Sequence, residues 1–128
     1  MDVLLDEQEQ TIRTVARGFL HTKATPALAR EMETDPLGYR PALWRDLAGL
    51  DWLGLCLPER FGGQDLPLQY AGLILEEVGR HIAPLPLHST LSAALAVARH
   101  GDETLRQALL PAVCAGDLVL TLDRKSVV

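Results

Sequence analysis

The side chains able to do acid–base chemistry in this sequence are few, and they are poorly placed for it. Glu76 and Glu77 put two carboxylates side by side, the residue type that many hydrolases use as an acid and base pair. On a helix, sequence neighbours point about 100° apart, so the two cannot converge on one substrate atom, and both are expected on a solvated face. His21, His81, His88 and His100 have no partner histidine one turn away and no H-E-x-x-H setting, so no metal site is expected. Cys56 and Cys114 stand apart in apolar surroundings without a C-x-x-C spacing and read as small buried side chains. Gly62-Gly63 follows no strand, and there is no G-x-S-x-G, Ser/His/Asp order, Walker loop or G-x-G-x-x-G. No catalytic constellation is complete within the chain.

The elements that would position these residues are helical. The chain has 128 residues and a mass of 14.0 kDa, about one small domain, and 25 Leu with 15 Ala against 5% aromatics favour helix over sheet. Asp6 caps the first helix with Glu9 as its capping-box partner, and Ile12, Val15, Ala16, Phe19 and Leu20 form its apolar stripe. Thr25-Pro26 opens a second short helix to about Glu33, and Thr34-Asp35-Pro36-Leu37-Gly38 breaks it. Pro41 starts a third, with Leu43, Trp44, Leu47 and Leu50 as its stripe and Gly49 and Gly54 at its end. Leu57 to Gly63 reads as an ordered loop around Phe61. A fourth helix is predicted over about Pro67 to Ile82, with Ala71, Ile74, Leu75, Val78 and Ile82 inward and Glu76 and Arg80 on the surface. A fifth runs from about Leu87 to Arg99, with Leu91, Ala94, Leu95 and Ala98 on one side, and Gly101 ends it. Asp102 caps a sixth that faces Leu105, Ala108, Leu109, Ala112 and Val113 inward until Gly116 closes it. Leu118 to Leu122 then reads as a β-type run with no second strand to pair with, and is expected to stay exposed and prone to association.

Charge and hydropathy narrow the function classes. With a net charge of −5 and scattered Lys and Arg, there is no basic face to displace counterions from phosphates, so nucleic acid is not an expected partner. A helix-turn-helix regulator is disfavoured too, because the fifth helix carries only Arg99 at its end. The apolar run Leu91 to Ala98 is closed by Arg99 and His100, well short of a membrane span. The acidic opening Met1 to Glu7 lacks the basic and apolar regions of a signal peptide, and a cytoplasmic location is expected.

Several segments taken together resemble the flavin-dependent acyl-CoA dehydrogenases, specifically their N-terminal α-helical domain. Leu57-Pro58-Glu59-Arg60-Phe61-Gly62-Gly63 is similar to that family's Pro-Glu-x-(Tyr/Phe)-Gly-Gly turn, and Leu75-Glu76-Glu77-Val78-Gly79-Arg80 follows at the familiar distance. Glu7-Gln8, Gly101-Asp102-Glu103, Leu110-Pro111 and Gly116-Asp117 complete the order. The Gly79-Arg80 helix end followed by Pro84-Leu85-Pro86 looks most like bacterial members acting on bulky or branched acyl-CoA, including some that work as unequal subunit pairs. Pro58, Glu59, Phe61, Gly62, Gly63, Glu76, Glu77, Gly79 and Arg80 are the motif positions, with a structural role.

The resemblance implies an all-α bundle of about six short helices over 1–117, ending at 118–122 in the first strand of a truncated β-domain. It implies oxidation of an acyl-CoA thioester to its 2-enoyl product in a full-length homo- or hetero-oligomer that binds FAD. The catalytic base would lie in a C-terminal domain absent from this chain, so no catalytic residue and no flavin binding are expected here. Leu87, His88, Thr90 and Leu91 are the substrate-pocket candidates, and packing of helix five against its neighbours explains each of them equally well. Where the family continues with a Thr-Glu-Pro segment, this sequence reads Asp123-Arg124-Lys125-Ser126-Val127-Val128. The codons GAT CGG AAG AGC GTC GTG, which match a widely used sequencing adapter, would encode it, so 123–128 are expected to be a non-native tail. A free-standing, non-catalytic helical partner subunit of a dehydrogenase is the alternative.

Overall fold

The structure, a computed structural model, describes residues 4–123. Of the sequence expectations, the foreign tail falls mostly on 124–128 and the acidic opening partly on 1–3, both outside the described residues. Six α-helices form among the described residues: α1 (Glu7–Lys23), α2 (Pro26–Met32), α3 (Pro41–Gly49), α4 (Leu68–Arg80), α5 (Leu87–His100) and α6 (Glu103–Ala115), with one 3-10 turn at Glu59–Phe61. They divide into two compact units. The first holds the described residues up to Asp46 together with Leu66–Leu85, and the second holds Leu47–Asp65 and the described residues from Pro86 onward.

In the first unit, α1 packs along α4. The Asp6 carboxylate accepts from the Glu9 amide at 2.8 Å and closes the N-terminus of α1, satisfying a donor the helix cannot satisfy internally. Ala16 and Leu20 are fully buried on its inner face. Val15, expected on that stripe, is 51% exposed, so the buried face is narrower than the apolar pattern. The Thr25 hydroxyl caps α2 at 3.2 Å from the Leu28 amide, and Leu28, Met32 and Leu43 form a small core flanked by Phe19 and Leu85. Asp35 accepts from the amides of Leu37 and Gly38, an Asx turn that explains the break between α2 and α3.

α4 departs from the expected pattern at its end. Its buried residues are Tyr70, Ala71, Leu73, Ile74 and Glu77, while Ile82, expected inward, is 75% exposed. The amides of Ile82 and Ala83 turn back to the carbonyls of Gly79 and Val78, which is a Schellman closure with Ile82 as its left-handed residue. Ile82 sits at φ +49°, so the helix stops before the residue can reach the inner face.

The second unit is built around Leu57, Phe61, Ala94, Leu110 and Val113, and α5 packs against α6. The Asp102 carboxylate caps α6 at 2.8 Å from the Leu105 amide, and Gly116 at φ +82° closes it. On α6 Val113 is buried as expected, but its companion is Leu110 rather than Leu105, Ala108 or Leu109; Leu105 is 42% exposed. The helix offers apolar residues at most angles, and the core it meets selects one edge of them. Leu118 to Leu122 forms no strand among the described residues, because a lone run has no partner for its ladder. It is not wholly exposed either: Leu118 and Leu120 pack on the core cluster, and Val119 and Leu122 face out.

Candidate functional site

The two motif segments do different work. In the second unit, the turn from Pro58 to Gly63 is wound by its own backbone. The Pro58 carbonyl accepts from the amides of Phe61 and Gly63, both at 3.1 Å, and Gly62 donates to Glu59 at 2.9 Å. Phe61 is buried, Gly62 takes φ +95°, and a Cβ on Gly63 would lie 2.1 Å from the Leu57 carbonyl oxygen. Only glycine fits that last position. Arg60 lays its guanidinium 4.0 Å above the Phe61 ring and pairs with Glu103 at the surface, while Glu59 is exposed.

In the first unit, the Glu76/Glu77 pair separates. Glu76 is half exposed and lies 3.6 Å from Arg80 and 3.8 Å from Arg13. Glu77 corrects the expectation of a solvated face, for it is fully buried. Arg17 of α1 explains how. Its Nη2 donates to Glu77 Oε1 at 2.8 Å, and its Nε donates to both carboxylate oxygens at 3.2 Å. Arg80 Nε lies 3.4 Å and His81 Nδ1 3.8 Å from the other oxygen. A buried carboxylate is tolerated when its oxygens are bonded and its charge is matched. The Arg17 hydrogen bonds hold the Glu77 carboxyl below the ordinary value of 4.5; burial opposes this, and the charges of Arg17, Arg80 and His81 add to it. A carboxylate so engaged has neither the proton affinity nor the free lone pairs of a general base. Arg17 was not singled out in the sequence, and the only signal for it was a cation on the flank of the apolar stripe of α1. Gly79 has open space around its Cβ position, and its carbonyl serves the helix closure.

The four pocket candidates lie in the first half of α5, within the second unit. Leu87 and Thr90 are fully buried and Leu91 is 6% exposed, whereas His88 is exposed. The Thr90 hydroxyl is 3.3 Å from both the carbonyl oxygen and the amide nitrogen of Leu120. An apolar groove of about 350 Å³ runs along the outer part of α5 and α6 past Val97, Leu105, Leu109 and Leu122, and none of the four lines it. Cys114 packs its Sγ where a Cβ on Gly54 would sit, 2.6 Å away, and burial pushes its thiol up, away from the reactive thiolate.

Among the described residues no group of three His, Cys, Asp or Glu side chains could hold a metal ion, and no helix is long and apolar enough to cross a membrane. Asp6, Thr25 and Asp102 each cap one first-turn amide, of α1, α2 and α6, whereas the N-termini of α4 and α5 carry no side-chain cap. The buried nitrogens without a hydrogen-bond partner, Arg13 Nε, Trp44 Nε1 and Arg106 Nε, are spread over three helices.

Residues 6–117 match the family described as acyl-CoA dehydrogenase, N-terminal domain. Acyl-CoA dehydrogenase IpdE2 of Mycolicibacterium smegmatis is 33% identical over 94 residues, 73% of this chain and 30% of the relative. IpdE2 of Mycobacterium tuberculosis is 32% identical over 120 residues, 91% of this chain and 38% of its own length. Among solved structures, a variant of the Tcur3481-Tcur3483 steroid ACAD superposes with a TM-score of 0.83 at 43% identity, covering 90% of this chain and 32% of that one. The ChsE4-ChsE5 complex from Mycobacterium tuberculosis gives 0.84 at 28% identity, covering 94% and 34%. The chain thus spans roughly a third of the length of the proteins it matches.

Proposed function

Because this chain belongs to the acyl-CoA dehydrogenase family and carries its N-terminal domain, we propose that it is the opening part of an enzyme that oxidises an acyl-CoA thioester to the 2-enoyl-CoA. The observation that carries this reading is the continuous match over 6–117 together with 43% identity to a steroid ACAD across 90% of the chain. That relative also favours a bulky acyl group over a short straight one. In this reading 1–117 is the helical domain, 118–122 begins a β-domain, and 123–128 is foreign to the enzyme. The whole enzyme is cytoplasmic and binds FAD, which supplies the hydride acceptor when bound. Two of the solved relatives are pairs of differently named chains, which supports an oligomer of unequal subunits.

The chain's own residues contribute packing and shape. Leu87 and Leu91 give α5 an apolar inner face, and His88, exposed at its first turn, is the candidate able to meet a substrate by its edge. Neither Glu77 nor Cys114 enters the chemistry, the first being locked by Arg17 and the second raised by burial. The purified chain, mixed with FAD, a bulky acyl-CoA and a dye acceptor, is expected to show no turnover and to carry no flavin absorbance through purification. Turnover, or a protein that stays yellow, contradicts the reading. The alternative of a free-standing non-catalytic partner has no observation in its favour.

A further inference from the structure

We propose that Thr90 is a positioning residue that sets the register of the segment leaving the helices, by standing in at Leu120 for the neighbouring β-strand that the segment lacks. An extended residue presents its N–H and C=O on the same side, and a paired strand satisfies both. Here one hydroxyl does so. Thr90 Oγ1 donates to the Leu120 carbonyl and accepts from the Leu120 amide, each at 3.3 Å, which uses the donor and one acceptor lone pair of the hydroxyl on a single residue. Thr90 is fully buried on α5, so the contact is made from a fixed point 30 residues away in sequence.

Burial alternates from Leu118 to Thr121, as this contact demands, and the alternation ends at Leu122, which is exposed. Leu118 and Leu120 pack on the cluster of Phe61, Leu110 and Val113, and Val119 and Leu122 are exposed. A slip of one residue would turn Val119 and Thr121 inward and Leu118 and Leu120 out. The packed Leu118 and Leu120 side chains and the Thr90 hydroxyl act together, the leucines choosing the face and the hydroxyl pinning the backbone at Leu120. The contact also leaves Thr90 no hydrogen to donate to a ligand, since its one O–H is spent on the Leu120 carbonyl. The purpose of such a lock, a strand already in register when it enters a sheet, rests on the proposed reading in which a β-domain follows.

Hydrogen–deuterium exchange of the 128-residue chain at micromolar concentration, resolved to single amides, tests the proposal. The Leu120 amide is expected to exchange more slowly than those of Val119 and Thr121. Thr90→Val should speed it about fivefold to tenfold, the loss of one ordinary hydrogen bond, while the Leu110 and Val113 amides keep their rates. Thr90→Ser, which keeps the hydroxyl, should restore the slow rate. Equal rates at Val119, Leu120 and Thr121 in the unmodified chain overturn the proposal, as does a Thr90→Val variant with unchanged Leu120 exchange. If Thr90→Val loosens Leu110 and Val113 as well, the pattern in the unmodified chain and in Thr90→Ser decides. A gene that encodes no β-domain would end the domain reading and leave these rates as they are.

Discussion

The two units hold themselves together by opposite means. In the first, α1 and α4 are joined through a fully buried Glu77 and the Arg17 fork that meets it, so charge matched to charge fixes how two helices face each other. In the second, chain segments approach until only glycine fits: a Cβ on Gly63 would strike the Leu57 carbonyl at 2.1 Å, and one on Gly116 would lie 2.8 Å from Ala48 Cβ. Their helix ends repeat the contrast. α4 and α6 close with the same backbone bonds, yet α6 places Gly116 at the left-handed position and α4 places Ile82 there, a β-branched residue for which that conformation is strained. Close backbone packing tolerates no substitute at Gly63, whereas left-handed positions are held by non-glycine residues in both units: the β-branched Ile82 in the first, and Asp51 and Asp65, a residue type that bears this conformation more easily, in the second.

The sharpest way to break the second unit is Gly63→Ala. The added methyl meets backbone rather than a yielding side chain, and a loss of about 3 kcal/mol or more in urea unfolding is expected. In the first unit, Glu77→Gln keeps the shape but removes the charge that Arg17 matches, with a smaller loss of about 2 kcal/mol at neutral pH. The same pair makes the first unit acid-sensitive. Glu77 is held below the ordinary 4.5, so its contribution is complete above that value and is lost as pH falls through the lower folded-state value. The stability difference between the parent chain and Glu77→Gln should therefore shrink as unfolding is measured from pH 7 towards pH 3. The smallest effect has the opposite sign: Ile82→Gly should stabilise by about 1 kcal/mol, since the side chain is 75% exposed and its left-handed backbone is relieved. A destabilised Ile82→Gly would show that the helix-end contrast is not strain.

Most of the architecture was legible because it is written locally. Asp6, Thr25-Pro26, Asp102 and Gly116 each mark a helix end through bonds to amides or carbonyls within five residues, and each boundary fell within about two residues of its expected place. What failed depends on distant partners. Glu77 looks like any surface glutamate until Arg17, 60 residues earlier, is brought beside it. The inner edge of α6 could not be read from its own apolar residues, because Phe61 and Leu57 choose among them. Ile82 fitted the helical period of α4 and fell outside the helix, since the period does not say where the closure comes. Of the candidate site, the order of the two motifs was visible in the sequence, whereas the bond that fixes Thr90 to Leu120 has no counterpart in any spacing.

Long-read sequencing of the chromosomal locus past the codon for Leu122 tests the central reading most directly. An open frame continuing into a β-domain and then a helical domain with an acidic base is the expected result. A native stop codon immediately after Val128 would contradict it.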